Sequence, residues 1–179
     1  METPDLAAGD FEHLTLSGQL QIVEKLLAAG PAVLFGSSMG GYLAALAAAG
    51  SPSQVERVVL LAPAFGFYDL WQKELGQEKL ETWRKNGTIS VFHYGEGREL
   101  PLAFGLMEDA RRFEAFPEIR QPGLLFHGLD DPLVPIEQSR RYVASRPNLH
   151  LMELKSGHEL TDVLDDMWKA ARGFLLEGV

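Results

Sequence analysis

Ser38, Asp131 and His158 have the residue types, the surroundings and the chain order needed for nucleophilic catalysis. Ser38 lies in Phe35-Gly36-Ser37-Ser38-Met39-Gly40-Gly41, after the apolar run Ala32-Val33-Leu34-Phe35 and before the small-residue run Tyr42–Ala49. Strand, then Gly-x-Ser-x-Gly, then helix is the setting of a nucleophile elbow, which holds a serine hydroxyl proud of the fold at a helix start. So sharp a turn brings backbones close together, and Gly36 and Gly40 are both expected to exclude side chains there. The Met39 N–H is expected to point at a developing oxyanion.

The acid and the base come from two further loops. Gly123-Leu124-Leu125-Phe126 reads as a strand that ends at His127-Gly128 and presents Asp130 and Asp131. Asp131 precedes Pro132, which biases its backbone toward an extended conformation. From the residues alone the two aspartates are nearly even candidates. Ser156-Gly157-His158 follows the predicted strand His150–Leu154 and puts an imidazole ahead of the last helix. The order Ser, Asp, His is that of an α/β-hydrolase triad. In such a triad the imidazole takes the serine proton while the carboxylate fixes its tautomer.

At these residues the chain resembles the α/β-hydrolase superfamily. It is similar to small bacterial serine esterases of the YqiA type and to the mitochondrial serine hydrolase that removes palmitoyl groups from protein thiols. Gly36-Ser37-Ser38-Met39-Gly40-Gly41 matches their form of the elbow. His127-Gly128-x-x-Asp131-x-x-Val134-Pro135 matches the superfamily's acid loop and favours Asp131 over Asp130. The resemblance runs from about Pro4 to the C-terminus. It implies a mostly parallel sheet flanked by helices and hydrolysis of an ester or thioester through an acyl-enzyme, with no metal or cofactor. The alternatives are a thioesterase for acylated proteins or coenzyme A esters, and a non-catalytic binding module of the same fold.

The resemblance also implies further strands and a His-Gly oxyanion loop ahead of the nucleophile strand. Only 31 residues precede Ala32, so that part is expected to be missing, through a fragment, a genuine deletion or, most simply, a start codon read too late. Loss of one oxyanion donor costs about 10²–10³ in turnover. The nucleophile strand is then expected to stand as an exposed apolar edge.

Alternating elements must position these residues. Gln19–Ala29 reads as a helix stopped by Gly30-Pro31, Val55–Ala62 as a buried parallel strand, Ile136–Ser145 as a helix and Thr161–Leu176 as a closing amphipathic helix. The stretch from about 63 to 122 breaks the alternation. It is expected to be a helical cap inserted into a single domain spanning residues 1–179. Ten of the chain's seventeen aromatics fall inside it, enough for a small core of its own. Phe65 and Phe67, leaving a strand end beside the elbow, are the candidates to line an acyl pocket. His127 is expected to shape the acid loop. His93 and Tyr94 have only their place in the cap to suggest substrate contact. Gly95-Glu96-Gly97-Arg98 reads as a turn.

Composition narrows the partners. A net charge of −9 and a pI near 5.0 disfavour nucleic acid and anionic membrane surfaces. The absence of cysteine excludes disulfides, thiolate metal sites and a cysteine nucleophile. No His/Asp/Glu cluster has metal-site spacing. The acidic start Met1-Glu2-Thr3-Pro4-Asp5 lacks a secretion-signal pattern, and a cytoplasmic location is expected.

Overall fold

The structure is a computed structural model, and it describes residues 1–93 and 95–177. Tyr94, a candidate for substrate contact, lies outside the described residues. The chain groups into two compact units, one made of residues 27–65 with 116 onward, the other of Met1–Leu26 with Gly66–Ala115.

The first unit is built on a parallel sheet of β1 (Ala32–Ser37), β2 (Val55–Leu61), β5 (Gly123–Gly128) and β6 (Leu149–Leu154), in the order β1-β2-β5-β6. The inner strands carry the most apolar runs. Every residue of β5 is buried, as are Val58, Val59 and Leu60 of β2. Strands covered on both faces read as continuous hydrophobic runs, which is what these residues provide. Gly123 is required by packing, because a Cβ there would meet Leu149 at 2.6 Å and Val58 at 2.9 Å.

Helix α2 (Met39–Gly50) crosses from β1 to β2 and buries Gly41 through Ala45, Ala47 and Ala48. Its alanines leave room for close approach to the sheet. Helix α5 (Glu137–Val143) joins β5 to β6 and buries Ser139 and Tyr142. Burial pushes the Tyr142 phenol far above its ordinary range, and its O–H donates to the Pro117 carbonyl at 2.6 Å. The predicted last helix is a short 3₁₀ turn (Thr161–Val163) followed by α6 (Leu164–Glu177). Met167, Ala171 and Phe174 of α6 pack with Val59, Leu124 and Phe126 in one buried cluster. Truncating a side chain such as Phe126 to alanine in a core of this kind costs about 3–5 kcal/mol.

The second unit differs from the helical cap expected over this stretch. It holds α1 (Leu16–Leu27), α3 (Phe67–Asn86, broken at Gly76 with φ 71°), α4 (Gly105–Ala110) and an antiparallel hairpin of β3 (Thr88–His93) and β4 (Arg98–Ala103). The hairpin forms because Thr88-Ile89-Ser90-Val91-Phe92-His93 alternates exposed and half-buried residues, the period of a strand. Gly97, at φ 64°, sits in the connecting turn, where the sequence places Gly95–Arg98. Trp83 is 1% exposed and donates its Nε1–H to the Leu102 carbonyl at 2.9 Å, tying α3 to β4.

Helix α1 starts three residues before the predicted Gln19. Thr15 Oγ1 accepts the Gly18 N–H at 3.0 Å, and Asp109, far along the chain, accepts the Ser17 N–H at 2.7 Å and its hydroxyl at 2.6 Å. Both satisfy amides that a helix start leaves orphaned. Among the described residues no helix is long and apolar enough to cross a membrane.

Candidate active site

Parallel strands end on one edge of a sheet, and each candidate residue leaves the sheet there. Pairing sets Ser37 level with Leu61, Leu61 with Phe126 and Phe126 with Met152, so the loops after β1, β5 and β6 start at nearly the same height. Strand β2 alone separates β1 from β5, a backbone gap of about 10 Å that a Ser-His-Asp set of side chains can span.

Ser38 has φ 53° and ψ −120°, a conformation few non-glycine residues adopt, between the end of β1 and the first residue of α2. Backbone bonds hold it there. Its N–H donates to Leu61 O at 2.8 Å, and its carbonyl accepts the N–H groups of Tyr42 at 3.1 Å and Ala64 at 3.0 Å. The elbow is thus pinned to the exit of β2 as well as to its own helix.

The glycine requirement is distributed differently from the expectation. A Cβ on Gly36 would fall on the backbone of Gly40 and Gly41, whereas a Cβ on Gly40 would meet nothing within 4 Å. Gly40 crowds its neighbour with its carbonyl and has no need of a missing side chain itself. Gly41 is the second tight position: a Cβ there would lie 3.0 Å from Pro63 and 3.1 Å from Gly36 O. Among the described residues no acceptor engages the Met39 N–H, as befits the first turn of a helix.

The acid and base loops are packed against each other. A Cβ on Gly128 would land on the carbonyl oxygens of Ser156 and Gly157. Leu129 N–H donates to Leu154 O at 2.8 Å, and Asp130 N–H to Ser156 O at 3.0 Å. The Asp131 side chain is 0% exposed, and its Oδ1 accepts the N–H groups of Leu133 and Val134, each at 2.9 Å. Its Oδ2 lies 2.8 Å from His158 Nδ1. Asp130, the other candidate acid, is exposed on the same loop.

A carboxylate can only accept, so His158 carries its proton on Nδ1 and leaves Nε2 as a base. The His158 loop is held by a hydrogen bond from Ser156 Oγ to Asp162 Oδ1, and by the buried Leu160 at φ 55°. Among the described residues His158 and Ser38 are not hydrogen-bonded to each other. In substrate-free hydrolases that contact is often long and tightens in the substrate complex.

His127 is wholly buried at the end of β5, with Nδ1 2.7 Å from Ser139 Oγ and Nε2 2.9 Å from Val134 O. Phe65 and Phe67 are 0% and 3% exposed. Phe65 stacks on Tyr142 at 3.9 Å and neighbours Phe116 and Tyr42, a core position that offers no face to a ligand in this structure. Phe67 packs on Trp71 in the second unit. His93 accepts the Glu96 N–H within the hairpin turn. Ser139 and the aromatic stack were missed from the sequence, and only the placement of α5 could have pointed to them.

Comparison with known proteins agrees with this architecture. The model of the family described as uncharacterised protein family UPF0227 matches residues 1–174. The chain belongs to the UPF0227 family. A curated relative, monoacylglycerol lipase abhd6-B of Xenopus laevis, is 31% identical over 156 residues. That match takes in 84% of this chain but 43% of the lipase, so the UPF0227 chain spans less than half the length of that relative.

Among solved structures, Est1E from Butyrivibrio proteoclasticus superposes with a TM-score of 0.78 at 22% identity, over 94% of this chain and 71% of that one. The monoacylglycerol lipase of Paleococcus ferrophilus gives 0.70 at 20% identity, over 94% and 78%. Mouse alpha/beta hydrolase domain-containing protein 10 gives 0.68 at 20% identity, over 88% and 70%. The fold is that of the α/β-hydrolases.

Proposed function

We propose that this chain is a serine hydrolase that cleaves a carboxylic ester through an acyl-enzyme on Ser38. The observation that carries the proposal is the buried 2.8 Å contact between Asp131 Oδ2 and His158 Nδ1, on the sheet edge where Ser38 is held at positive φ. The similarity to monoacylglycerol lipase abhd6-B supports an acyl ester as the substrate class.

Ser38 Oγ attacks the acyl carbon while His158 Nε2 takes its proton. Asp131 keeps the ring in the Nδ1–H tautomer and stabilises the imidazolium. The Met39 N–H faces the oxyanion, an interaction worth about 3–4 kcal/mol of barrier when water is excluded. Collapse expels the alcohol, protonated by His158. Water then repeats the sequence on the acyl-enzyme and regenerates Ser38.

The test is hydrolysis of p-nitrophenyl esters of graded chain length, with labelling by a serine-directed fluorophosphonate. Activity and labelling are expected in the parent chain and absent in Ser38→Ala. The length optimum measures the acyl site. A folded parent chain that neither hydrolyses nor labels overturns the proposal and leaves a binding module of the same fold.

A further inference from the structure

The buried carboxylate of Asp131 touches two imidazoles. His158 approaches Oδ2 at 2.8 Å, and His127 Nε2 lies 3.3 Å from the same oxygen. His127 cannot be placed arbitrarily. It is 0% exposed, and both its nitrogens have fixed partners.

The Val134 carbonyl at 2.9 Å can only accept, so the His127 proton is on Nε2 and is donated to Val134 O, with Asp131 Oδ2 3.3 Å from the same nitrogen. Nδ1 then accepts from the Ser139 hydroxyl at 2.7 Å, itself buried on α5. A hydroxyl thus fixes the tautomer of one histidine, and that histidine holds Val134, whose N–H donates to the acid that fixes the tautomer of the other. The Asp131 carboxylate has three hydrogen-bond donors, the Leu133 and Val134 N–H groups on Oδ1 and His158 Nδ1 on Oδ2, and His127 Nε2 lies close to Oδ2 as well.

We infer that His127, locked by Ser139, is a positioning residue that holds the Asp131 carboxylate in line with His158. The inference rests on the serine hydrolase reading for its kinetic consequence, though not for its geometry. Without His127, the Val134 carbonyl loses its donor and the segment whose N–H holds Oδ1 of the buried carboxylate is loosened, while Oδ2 loses the imidazole edge 3.3 Å away. The carboxylate is then free to rotate away from His158. A buried polar contact that supports a buried charge, once lost, corresponds to about a ten- to hundred-fold change in rate. The loss belongs in kcat, since His127 lies behind the acid and away from substrate.

The variants are His127→Gln, His127→Leu and Ser139→Ala. A glutamine can donate its amide to Val134 O beside Asp131 while accepting from Ser139; leucine can do neither. Each is read in three ways: kcat and KM on an ester, melting temperature, and the far-downfield proton NMR resonance of His158 Nδ1–H. Expected are near-parent values for His127→Gln, and for His127→Leu a kcat lowered by about ten-fold or more at unchanged KM, with the resonance shifted or lost. Ser139→Ala, which keeps the fold if leucine at 127 does not, is expected to move kcat and the resonance in the same direction by a smaller factor.

A role confined to fold stability would lower the melting temperature and leave the resonance and kcat in place. That result in His127→Leu or Ser139→Ala overturns the inference, as does a parent spectrum with no such resonance. If the parent chain hydrolyses nothing yet shows the resonance, and His127→Leu removes it, the positioning role stands while the hydrolase reading falls.

Discussion

Two glycines of the elbow, four residues apart, make opposite demands. Gly36→Ala drives a methyl into the Gly40 carbonyl, a backbone atom that cannot rotate aside, so a loss on the order of 3 kcal/mol is expected with the elbow distorted. Gly40→Ala adds a methyl to open space in a helix, where alanine is better than glycine by up to about 1 kcal/mol. Thermal denaturation of the pair checks this, and equal effects would refute it. At the acid, Asp131→Asn keeps the shape but holds His158 in the wrong tautomer. A fall of about 10⁴ in kcat with little change in melting temperature is expected. If Asp130→Asn gave the larger fall, the assignment of the acid would be reversed.

The exposed pair of Asp10 and His13 gives a pH dependence with a definite sign. The hydrogen bond that Asp10 accepts from His13 raises His13 above its ordinary 6.5, and the same bond lowers Asp10 below 3.8. The His13 contribution is complete below the unfolded imidazole value and is lost as pH rises through the raised one. The Asp10 contribution is complete above the unfolded carboxylate value and is lost as pH falls through the lowered one. The pair therefore steadies its loop between those limits. An NMR titration should show His13 returning to the ordinary range in Asp10→Asn, and an unchanged midpoint would dismiss the pairing.

Among the elements, the two edge strands of the sheet are protected unequally. Glu153 of β6 is clasped by Arg140, with Nε–Oε1 2.8 Å and Nη2–Oε2 2.6 Å, and the guanidinium holds that carboxyl below its usual range. Strand β1 has no charge and no proline, and its Phe35 is 52% exposed. Bare apolar edges are templates for pairing with another chain, which charged residues on an edge discourage. Phe35→Lys is expected to suppress concentration-dependent light scattering without altering the circular dichroism. A parent chain that scatters no more as concentration rises would remove the premise.

The sheet and the elbow were legible because their signals are local. Val58-Val59-Leu60-Leu61 and Gly123–Phe126 are short apolar runs bounded by turns, and the Gly-x-Ser-x-Gly pattern sits between a strand and a helix. The β3–β4 hairpin is hidden by the aromatics around it, whose density reads as a cap core and masks the short alternation of Thr88–His93. The start of α1 depends on Asp109, and no local pattern announces a cap supplied from so far along the chain. Phe65 misled for a related reason. Its place after β2 was correct, but only the packing of α5 shows that Tyr142 covers its ring.

At the scale of the molecule, a net charge of −9 bears on which acyl compounds can be substrates. Acyl-coenzyme A esters carry several phosphate charges and are repelled by an acidic protein, whereas a neutral p-nitrophenyl ester is not. The repulsion acts on encounter, so it appears in kcat/KM and is screened by salt, with a Debye length of about 10 Å at 0.1 M. For one acyl length, the neutral ester is expected to be cleaved with the higher kcat/KM at low ionic strength. Adding salt is expected to raise kcat/KM for the coenzyme A ester severalfold and to leave that for the neutral ester nearly flat. The comparison needs only the parent chain and two substrates. A coenzyme A ester that is the better substrate at low salt and slows as salt is added would show a local cationic site prevailing over the net charge. The preference for neutral esters would then have to be given up.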